Sequence, residues 1–195
     1  MKRTLVAAGL AGMLMPGLAS AELDYNIVDV GFASKINRGN TGNFTELSLG
    51  ITKNVFNKLF LGATFQSGIL PSTPANRDTR VSSATLIGGF HTPFKENSDF
   101  VVVGHVSKGT DIIPGSSESA TTYDLGAGLR AEFTYGLEAS IVAYYSNASG
   151  TAYSSNDTYV NAQFGFDFTP NIQMYGGTDL FKSDRTAIFG LRIFY

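Results

Sequence analysis

The sequence predicts an all-β fold: a closed, antiparallel, up-and-down β-barrel that crosses a membrane. Three observations predict it. Segments of about ten residues alternate apolar and polar side chains, the connections between them alternate short and long, and the C-terminal segment is an apolar strand. Composition agrees: 15% of the residues are charged, against about 25% in soluble domains.

Ten segments show the alternation. It is clearest in Tyr123–Phe133, where every odd position is apolar or aromatic and every even position is Gly or charged. The ten predicted strands are Leu23–Lys35, Phe44–Lys53, Lys58–Gly68, Arg80–His91, Asp99–Gly109, Thr122–Phe133, Leu137–Asn147, Thr158–Phe168, Ile172–Phe181 and Thr186–Tyr195. Eight strands are the alternative count. Ile27-Val28 interrupts the alternation of the first segment, which a bulge would explain.

The connections favour a membrane barrel over a soluble β-sandwich, which would show the same alternation. The short ones are Asn54–Asn57, Thr92–Ser98, Thr134–Gly136 and Thr169–Asn171. The longer ones, rich in Ser, Thr, Asn, Gly and Pro, are Ile36–Asn43, Ile69–Thr79, Thr110–Thr121 and Ala148–Asp157, and Lys182–Arg185 is a short exception. Outer-membrane barrels have short periplasmic turns and longer external loops, so we expect both termini in the periplasm.

Aromatic residues concentrate at both edges of the predicted apolar band, as in membrane barrels. The residues predicted for the external edge are Phe32, Phe44, Phe65, Tyr123, Tyr145, Tyr159 and Phe181. Those predicted for the periplasmic edge are Tyr25, Phe60, Phe90, Phe94, Phe100, Phe133, Tyr135, Phe166, Phe168 and Tyr195. The chain has no Trp, which departs from the usual girdle.

The last strand carries a recognisable pattern. Gly190 is followed by Ile193 and Tyr195, three and five positions later. This resembles the C-terminal signature of bacterial outer-membrane β-barrels, although Ile188 stands where a polar residue is usual. The whole chain resembles the compact OmpX-like and opacity-protein-like barrels. The resemblance implies insertion by the barrel-assembly machinery, with lipopolysaccharide and phospholipid around a monomeric barrel.

The N-terminus predicts export. Lys2 and Arg3 precede the apolar run Leu5–Met15, and Ala19-Ser20-Ala21 fits a cleavage site. The run is shorter than the roughly 20 residues that a membrane-spanning helix needs. We therefore predict a cleaved signal peptide over residues 1–21 and a barrel domain over residues 22–195, located in the outer membrane.

Several charged residues fall on the predicted inner face: Asp29, Glu46, Asp124, Arg130, Glu132, Glu138, Asp167, Asp179 and Arg192. Glu132 and Glu138 should lie opposite each other across a turn, and Arg130 and Arg192 are the cations expected to neutralise them. A lumen cluster of Arg130, Glu132, Glu138 and Arg192 is thus predicted. It would act as a stabilising plug or line a narrow aqueous path.

Little in the sequence points to catalysis. His105 and Ser107 share a strand face, with Glu118 in the next predicted loop, and resemble the His-x-Ser of lipid A deacylases; Lys108 replaces the Asn expected there. The chain has no Cys and two His, which makes a zinc site improbable, and its formal net charge of −2 argues against a nucleic-acid partner. We expect no catalytic residue, cofactor or metal.

Three functions remain open at this point. The first is a non-enzymatic structural or surface barrel whose external loops bind a ligand or host surface. The second is a narrow channel for small solutes, and the third is a lipid A-modifying enzyme.

Overall fold

Ten antiparallel strands form one closed barrel in the computed structural model, which describes residues 23–36, 44–70, 79–113, 116–133, 136–150, 154–181 and 185–195. The strands are β1 (Ile27–Ile36), β2 (Phe44–Phe56), β3 (Leu59–Leu70), β4 (Thr79–Lys95), β5 (Ser98–Ile113), β6 (Ser116–Phe133), β7 (Leu137–Gly150), β8 (Ser154–Thr169), β9 (Ile172–Leu180) and β10 (Arg185–Phe194). Each strand pairs with its sequence neighbours, and β1 also pairs with β10. The predicted fold class and the count of ten strands are confirmed.

The two ends of the barrel differ. Residues 57–58, 96–97, 134–136 and 170–171 connect strands at one end, which also holds Leu23 and Tyr195. We call this the turn end and the opposite one the loop end. The predicted signal peptide, residues 1–21, lies outside the described residues, as do loop-end residues 37–43, 71–78 and 182–184.

Two connections predicted as long loops are much shorter. β5 and β6 pair as far as Ile113 and Ser116, so only residues 114–115 separate them. β7 and β8 pair as far as Ser149 and Ser154. The Ser- and Thr-rich stretches that suggested loops instead continue the strands, because cross-strand pairing satisfies their backbone groups.

The first strand also differs from the prediction. β1 begins at Ile27, and its pairing with β2 and β10 runs without a register shift, so the bulge suggested by Ile27-Val28 is wrong. Register shifts occur instead beside turns, between Asn54 and Phe56, Pro93 and Lys95, and Asp167 and Thr169. The broken alternation marks the start of the strand rather than an irregularity within it.

The outer face of the barrel is apolar. Large side chains point away from the interior and are more than half exposed, including Leu47, Leu86, Phe164 and Phe168. Aromatic rings are exposed near the loop end at Phe32, Phe65, Tyr123, Tyr145 and Phe181, and near the turn end at Phe90, Phe94, Phe100, Phe166, Phe168 and Tyr195. A soluble monomer rarely exposes so large an apolar surface.

Three aromatics predicted for the edges point inward instead. Tyr25 and Phe60 are both 5% exposed and pack against each other inside the barrel. Tyr159 stacks on Tyr144, which faces the lumen. For Phe60 the reason is the pleat: Leu59 and Leu61 are exposed, so the residue between them points to the opposite face.

The inside of the barrel is polar where a sandwich would be apolar. Buried residues include Glu46, His91, Asp99, Arg130, Glu138, Gln173 and Asp179. This inverted distribution excludes a water-soluble sandwich and fits strands with one face toward lipid. In the part of the chain that the structure describes, no helix is long and apolar enough to span a membrane.

The outward position of Leu129 gives a stability prediction. Leu129 lies opposite Ile141 and Phe100 on the apolar face, whereas Ser149 lies beyond this band near the loop end. Leu129→Arg should lower the free energy of unfolding by about 2–4 kcal/mol, because it places a charge in hydrocarbon. The matched change Ser149→Arg should alter it by about 0.5 kcal/mol or less. Urea unfolding in lipid vesicles measures both, and equal losses would contradict the assignment of faces.

Candidate functional site in the barrel lumen

The segment before β1 folds into the lumen at the turn end. Leu23 and Tyr25 are each 5% exposed and form a buried cluster with Phe60, Val101 and Val103. Phe60, Val101 and Val103 are apolar inward positions of β3 and β5 near the turn end. At the turn end, the lumen thus has an apolar surface on one side, and the N-terminal segment covers this surface.

The Tyr25 ring fixes the segment in place. It stacks on Phe60 with ring centroids 4.8 Å apart and on His91 at 4.2 Å. Its hydroxyl donates a hydrogen bond to Asp99 Oδ2 at 3.2 Å, and the same oxygen lies 3.0 Å from His91 Nδ1. Burial raises the pKa of the Tyr25 hydroxyl, which keeps it protonated and able to donate.

This stack requires a glycine in β4. Gly89 lies opposite Phe60, and a Cβ atom built on Gly89 would lie 2.1 Å from the Phe60 ring. Only glycine lets an inward ring lie flat on the neighbouring strand here. The Phe60 ring can therefore take this position because Gly89 has no side chain. The two residues are 29 positions apart in the sequence.

Arg130 joins the N-terminal segment to the opposite wall. Its Nη1 donates to the backbone carbonyl of Asp24 at 2.9 Å, and its Nη2 donates to Glu138 Oε2 at 2.8 Å. The guanidinium carbon lies 4.7 Å from the centre of the Tyr25 ring, which is within cation–π range. One buried cation thus holds the segment by a hydrogen bond and a ring contact while it pairs with a buried carboxylate.

Arg192 approaches Glu138 from the other side. Its Nη1 lies 3.2 Å from Glu138 Oε1, so the carboxylate is shared by two arginines. The other partners of Arg192 are Asp29 at 3.2 Å, Gln173 at 3.1 Å, Gln163 at 2.6 Å and the Tyr175 ring at 4.4 Å. Two cations, Arg130 and Arg192, thus lie beside two carboxylates, Glu138 and Asp29, in the narrow lumen. Pairing of opposite charges lowers the free-energy cost of burying them.

The structure brings three of the four residues of the predicted lumen cluster into direct contact: Arg130, Glu138 and Arg192. Glu132 lies opposite Glu138 in the β6–β7 register but is partly exposed toward the turn end. Among the described residues its carboxylate makes no hydrogen bond or ion pair. Arg130 pairs with Glu138 rather than with Glu132, although Glu132 is nearer to it in sequence.

Sequence reasoning missed most of the partners of this cluster. Tyr25, His91, Asp99, Gln163 and Gln173 were not singled out as lumen groups, although alternation places the last four inward. The available signal was the break at Ile27-Val28, which separates the strand from the segment before it. We call the assembly of Tyr25, Phe60, His91, Asp99, Arg130, Glu138, Gln173 and Arg192 the turn-end plug.

A second polar cluster lies above the plug. His105 Nδ1 is 3.9 Å from Asp124 Oδ2, and the His105 ring lies 5.4 Å from that of Tyr144. Ser107 Oγ lies 2.8 Å from Thr85 Oγ1. Glu118, predicted to lie in a loop, is part of β6. It is paired with Asp111, six residues farther along β5 than His105, so the carboxylate beside the imidazole is Asp124 and not Glu118.

Comparisons with known proteins address the fold. No protein-family model and no curated protein matches the chain. The translocator domain of the autotransporter NalP from Neisseria meningitidis is similar over 98% of this chain and 97% of that chain, with a TM-score of 0.51 and 11% identity. An outer membrane channel from Pseudomonas putida F1 is similar over 92% of this chain and 99% of that chain, with a TM-score of 0.48 and 13% identity. The KdgM porin is similar over 86% of this chain and 99% of that chain, with a TM-score of 0.47 and 10% identity. Such identities bear on the fold alone.

The apolar outer face and the closed sheet agree with the likeness to the NalP translocator domain. The chain has the fold of an outer-membrane β-barrel. The plug therefore lies inside a membrane-spanning wall, and the lipid-facing and lumen-facing residues of each strand have separate roles.

The three residues of the C-terminal signature lie at the seam of this outer-membrane barrel. Ile193 and Tyr195 are exposed on the outer face, and the Tyr195 amide donates to the carbonyl of Asn26 at 3.2 Å. Gly190 is paired with Gly31, and a Cβ on Gly190 would lie 2.6 Å from the ring of Tyr175. Two paired glycines thus leave the space across the seam that this inward tyrosine occupies.

The shared Glu138 carboxylate gives a prediction for the plug. Arg130→Met should destabilise the barrel by about 3–5 kcal/mol, because it removes a cation from a buried pair. Adding Glu138→Gln should recover part of that loss, since the amide keeps the shape and removes the charge. A double-mutant cycle by urea unfolding in vesicles measures the coupling. Strictly additive losses would show that the two side chains do not interact in the folded barrel.

Proposed function

We propose that this chain is a non-enzymatic surface barrel of the outer membrane whose lumen is closed at its periplasmic end. The observation that carries the proposal is the turn-end plug. Stacked rings, an N-terminal segment and a buried arginine–carboxylate network occupy the lumen where a solute would have to leave it. A closed lumen favours a structural or surface role over transport.

The orientation in the membrane follows from the connections. The turn end has short connections and both ends of the described chain, so we assign it to the periplasm and the loop end to the cell exterior. Export would use the predicted signal peptide, residues 1–21. Insertion would use the barrel-assembly machinery through the C-terminal signature, and the inserted barrel would be a monomer surrounded by lipopolysaccharide and phospholipid.

The strands suggest where a ligand would bind. β5 and β6 contain 16 and 18 residues, whereas β1 and β10 contain 10 each. The additional six to eight residues correspond to about 20–26 Å of strand at ~3.3 Å per residue. Exposed side chains near the loop end are small and polar, as at Ser119 in β6 and Ser149 in β7. We assign this raised hairpin wall, with the external loops, to contact with a surface ligand.

The His105–Ser107 arrangement supports a role without catalysis. A serine nucleophile needs its base within hydrogen-bond reach. The Ser107 hydroxyl is instead paired with Thr85, and the His105 ring is placed between Asp124 and Tyr144. Each side chain is thus engaged with a different neighbour.

One observation favours a channel as the second candidate. Inward positions in the middle and upper parts of β2–β5 include the small hydroxyl residues Ser48, Thr64, Ser83, Thr85 and Ser107. Such side chains would line a polar path above the plug. Conduction would require the plug to move, so the two functions differ in the behaviour of the turn end.

Conductance in planar bilayers separates the two. The wild-type barrel should show no discrete conductance steps, and Tyr25→Ala combined with Arg130→Ala should produce them, because the segment loses both its ring stack and its guanidinium contact. Tyr123→Ala is the matched control, since this ring lies on the outer face. Discrete steps from the wild type would favour the channel, and their absence from a correctly folded double variant would contradict the plug.

The C-terminal signature gives a separate prediction. Deleting Tyr195, or replacing it with Asp, should lower the amount of heat-modifiable barrel in the outer membrane several-fold and increase periplasmic degradation. The control Tyr145→Asp also places a charge on the outer face but leaves the last strand intact. Membrane fractionation followed by electrophoresis of unboiled samples measures the yield. If the barrel lacking Tyr195 reached the wild-type yield, the proposed role of this residue in assembly would be wrong.

A further inference from the structure

A depression lies in the outer face of the barrel over β2–β5. Outward residues of neighbouring strands form two rows, Ile51–Ala63–Leu86 and Leu49–Phe65–Ala84–Lys108. Ala63 and Ala84 are small, whereas Phe65 and Leu86 beside them are 56% and 68% exposed. The two alanines leave a groove of about 680 Å³, a volume within the ~300–1,000 Å³ range of ligand sites.

Lys108 stands at the rim of this groove and is exposed on the outer face. Its cross-strand neighbours are Ala84 and Thr121, both uncharged. Within the described part of the chain it has no hydrogen bond and no ion pair. A cation on the outer face without a protein partner can pair with an anion from the membrane, and this attraction is about 1 kcal/mol near an anionic surface.

The height of Lys108 decides which leaflet supplies that anion. It lies ten residues from the turn-end start of β5 at Ser98, which corresponds to about 23 Å for strands tilted by ~45°. That height is close to the far edge of the ~25 Å apolar band. Tyr123, an exposed ring near the loop end, is paired with the adjacent Val106. Lys108 is therefore at the loop-end interface, where headgroup phosphates lie.

We propose that this groove is a binding site for the lipid A part of lipopolysaccharide. One acyl chain lies over Ala63 and Ala84, and a phosphate of the same molecule pairs with the Lys108 ammonium. The assignment to lipid A rests on the orientation proposed above, which places the loop end in the outer leaflet. Apolar lining beside a single cation complements a phosphorylated lipid, in shape and in charge.

The test uses the purified, refolded full-length mature barrel in detergent with added lipid A, and native mass spectrometry measures the lipid retained per barrel. Lys108→Ala should reduce retention about five- to tenfold, the scale expected for one lysine at an anionic surface. Lys108→Arg should retain wild-type binding. Ala84→Leu should also reduce retention, because it fills the groove while the charge remains.

Lys53→Ala is the matched control. Lys53 is another exposed, outward lysine, but it lies near the turn end opposite Leu61. Its removal should leave lipid A retention unchanged. Electrophoretic mobility of unboiled samples establishes that each variant is folded, and Lys108→Arg and Ala84→Leu keep the test decisive if Lys108→Ala folds poorly.

Four outcomes would overturn the proposal. The first three are equal retention in all variants, equal losses in Lys108→Ala and Lys53→Ala, and equal retention of phosphatidylglycerol and lipid A by the wild type. The fourth is retention that depends on Lys108 but not on Ala84, since the acyl chain would then not lie in the groove. Lipid retention does not depend on conductance through the lumen. The lipid A site can therefore be contradicted while the closed lumen is confirmed, and the reverse also holds.

Discussion

The structure depends on the pairing of β1 with β10. Hydrocarbon offers no water to backbone N–H and C=O groups, so a sheet can cross a membrane only if every strand has a partner on both sides. Ten consecutive residue pairs, from Ile27 with Phe194 to Ile36 with Arg185, close the ladder. Closure assigns one face of every strand to lipid and the other to the lumen.

Closure of the barrel also encloses an interior, and side chains must fill it. A barrel of about eight strands is just wide enough for side chains to fill, and ten strands leave more room. This chain fills the lower half with Leu23 and Tyr25 from its own N-terminal segment and with long polar side chains. Glycines such as Gly89 give the aromatic rings space against the wall. The upper half holds small hydroxyl residues together with the inward rings of His105, Tyr144 and Tyr159.

This division of the lumen relates the fold to the proposed role. In the proposed role, a barrel whose lumen is filled at the turn end and whose strands reach 18 residues presents a surface without providing a passage. The outer face has its own chemistry, because Lys108 is a cation beside an apolar groove. Lumen and outer face thus meet different partners, although alternating residues of the same strands form them.

The sequence by itself determined the architecture and the two faces. Alternation in Tyr123–Phe133 and the other segments predicted strands, and the pleat then assigned Arg130, Glu138 and Arg192 inward, since the period of two is a local property. It also indicated where turns lie, through Pro and Gly chemistry, although it mistook polar strand extensions beyond residue 109 for loops.

Only the tertiary structure decided the contacts. No local pattern reveals that Tyr25 leaves the strand to lie on Phe60, or that Arg130 reaches the carbonyl of Asp24, because these residues are 35 and 106 positions apart and meet through closure and register. Glu132 illustrates the same limit. It lies directly opposite Glu138, and the local pattern does not distinguish the two carboxylates, yet Arg130 pairs with Glu138.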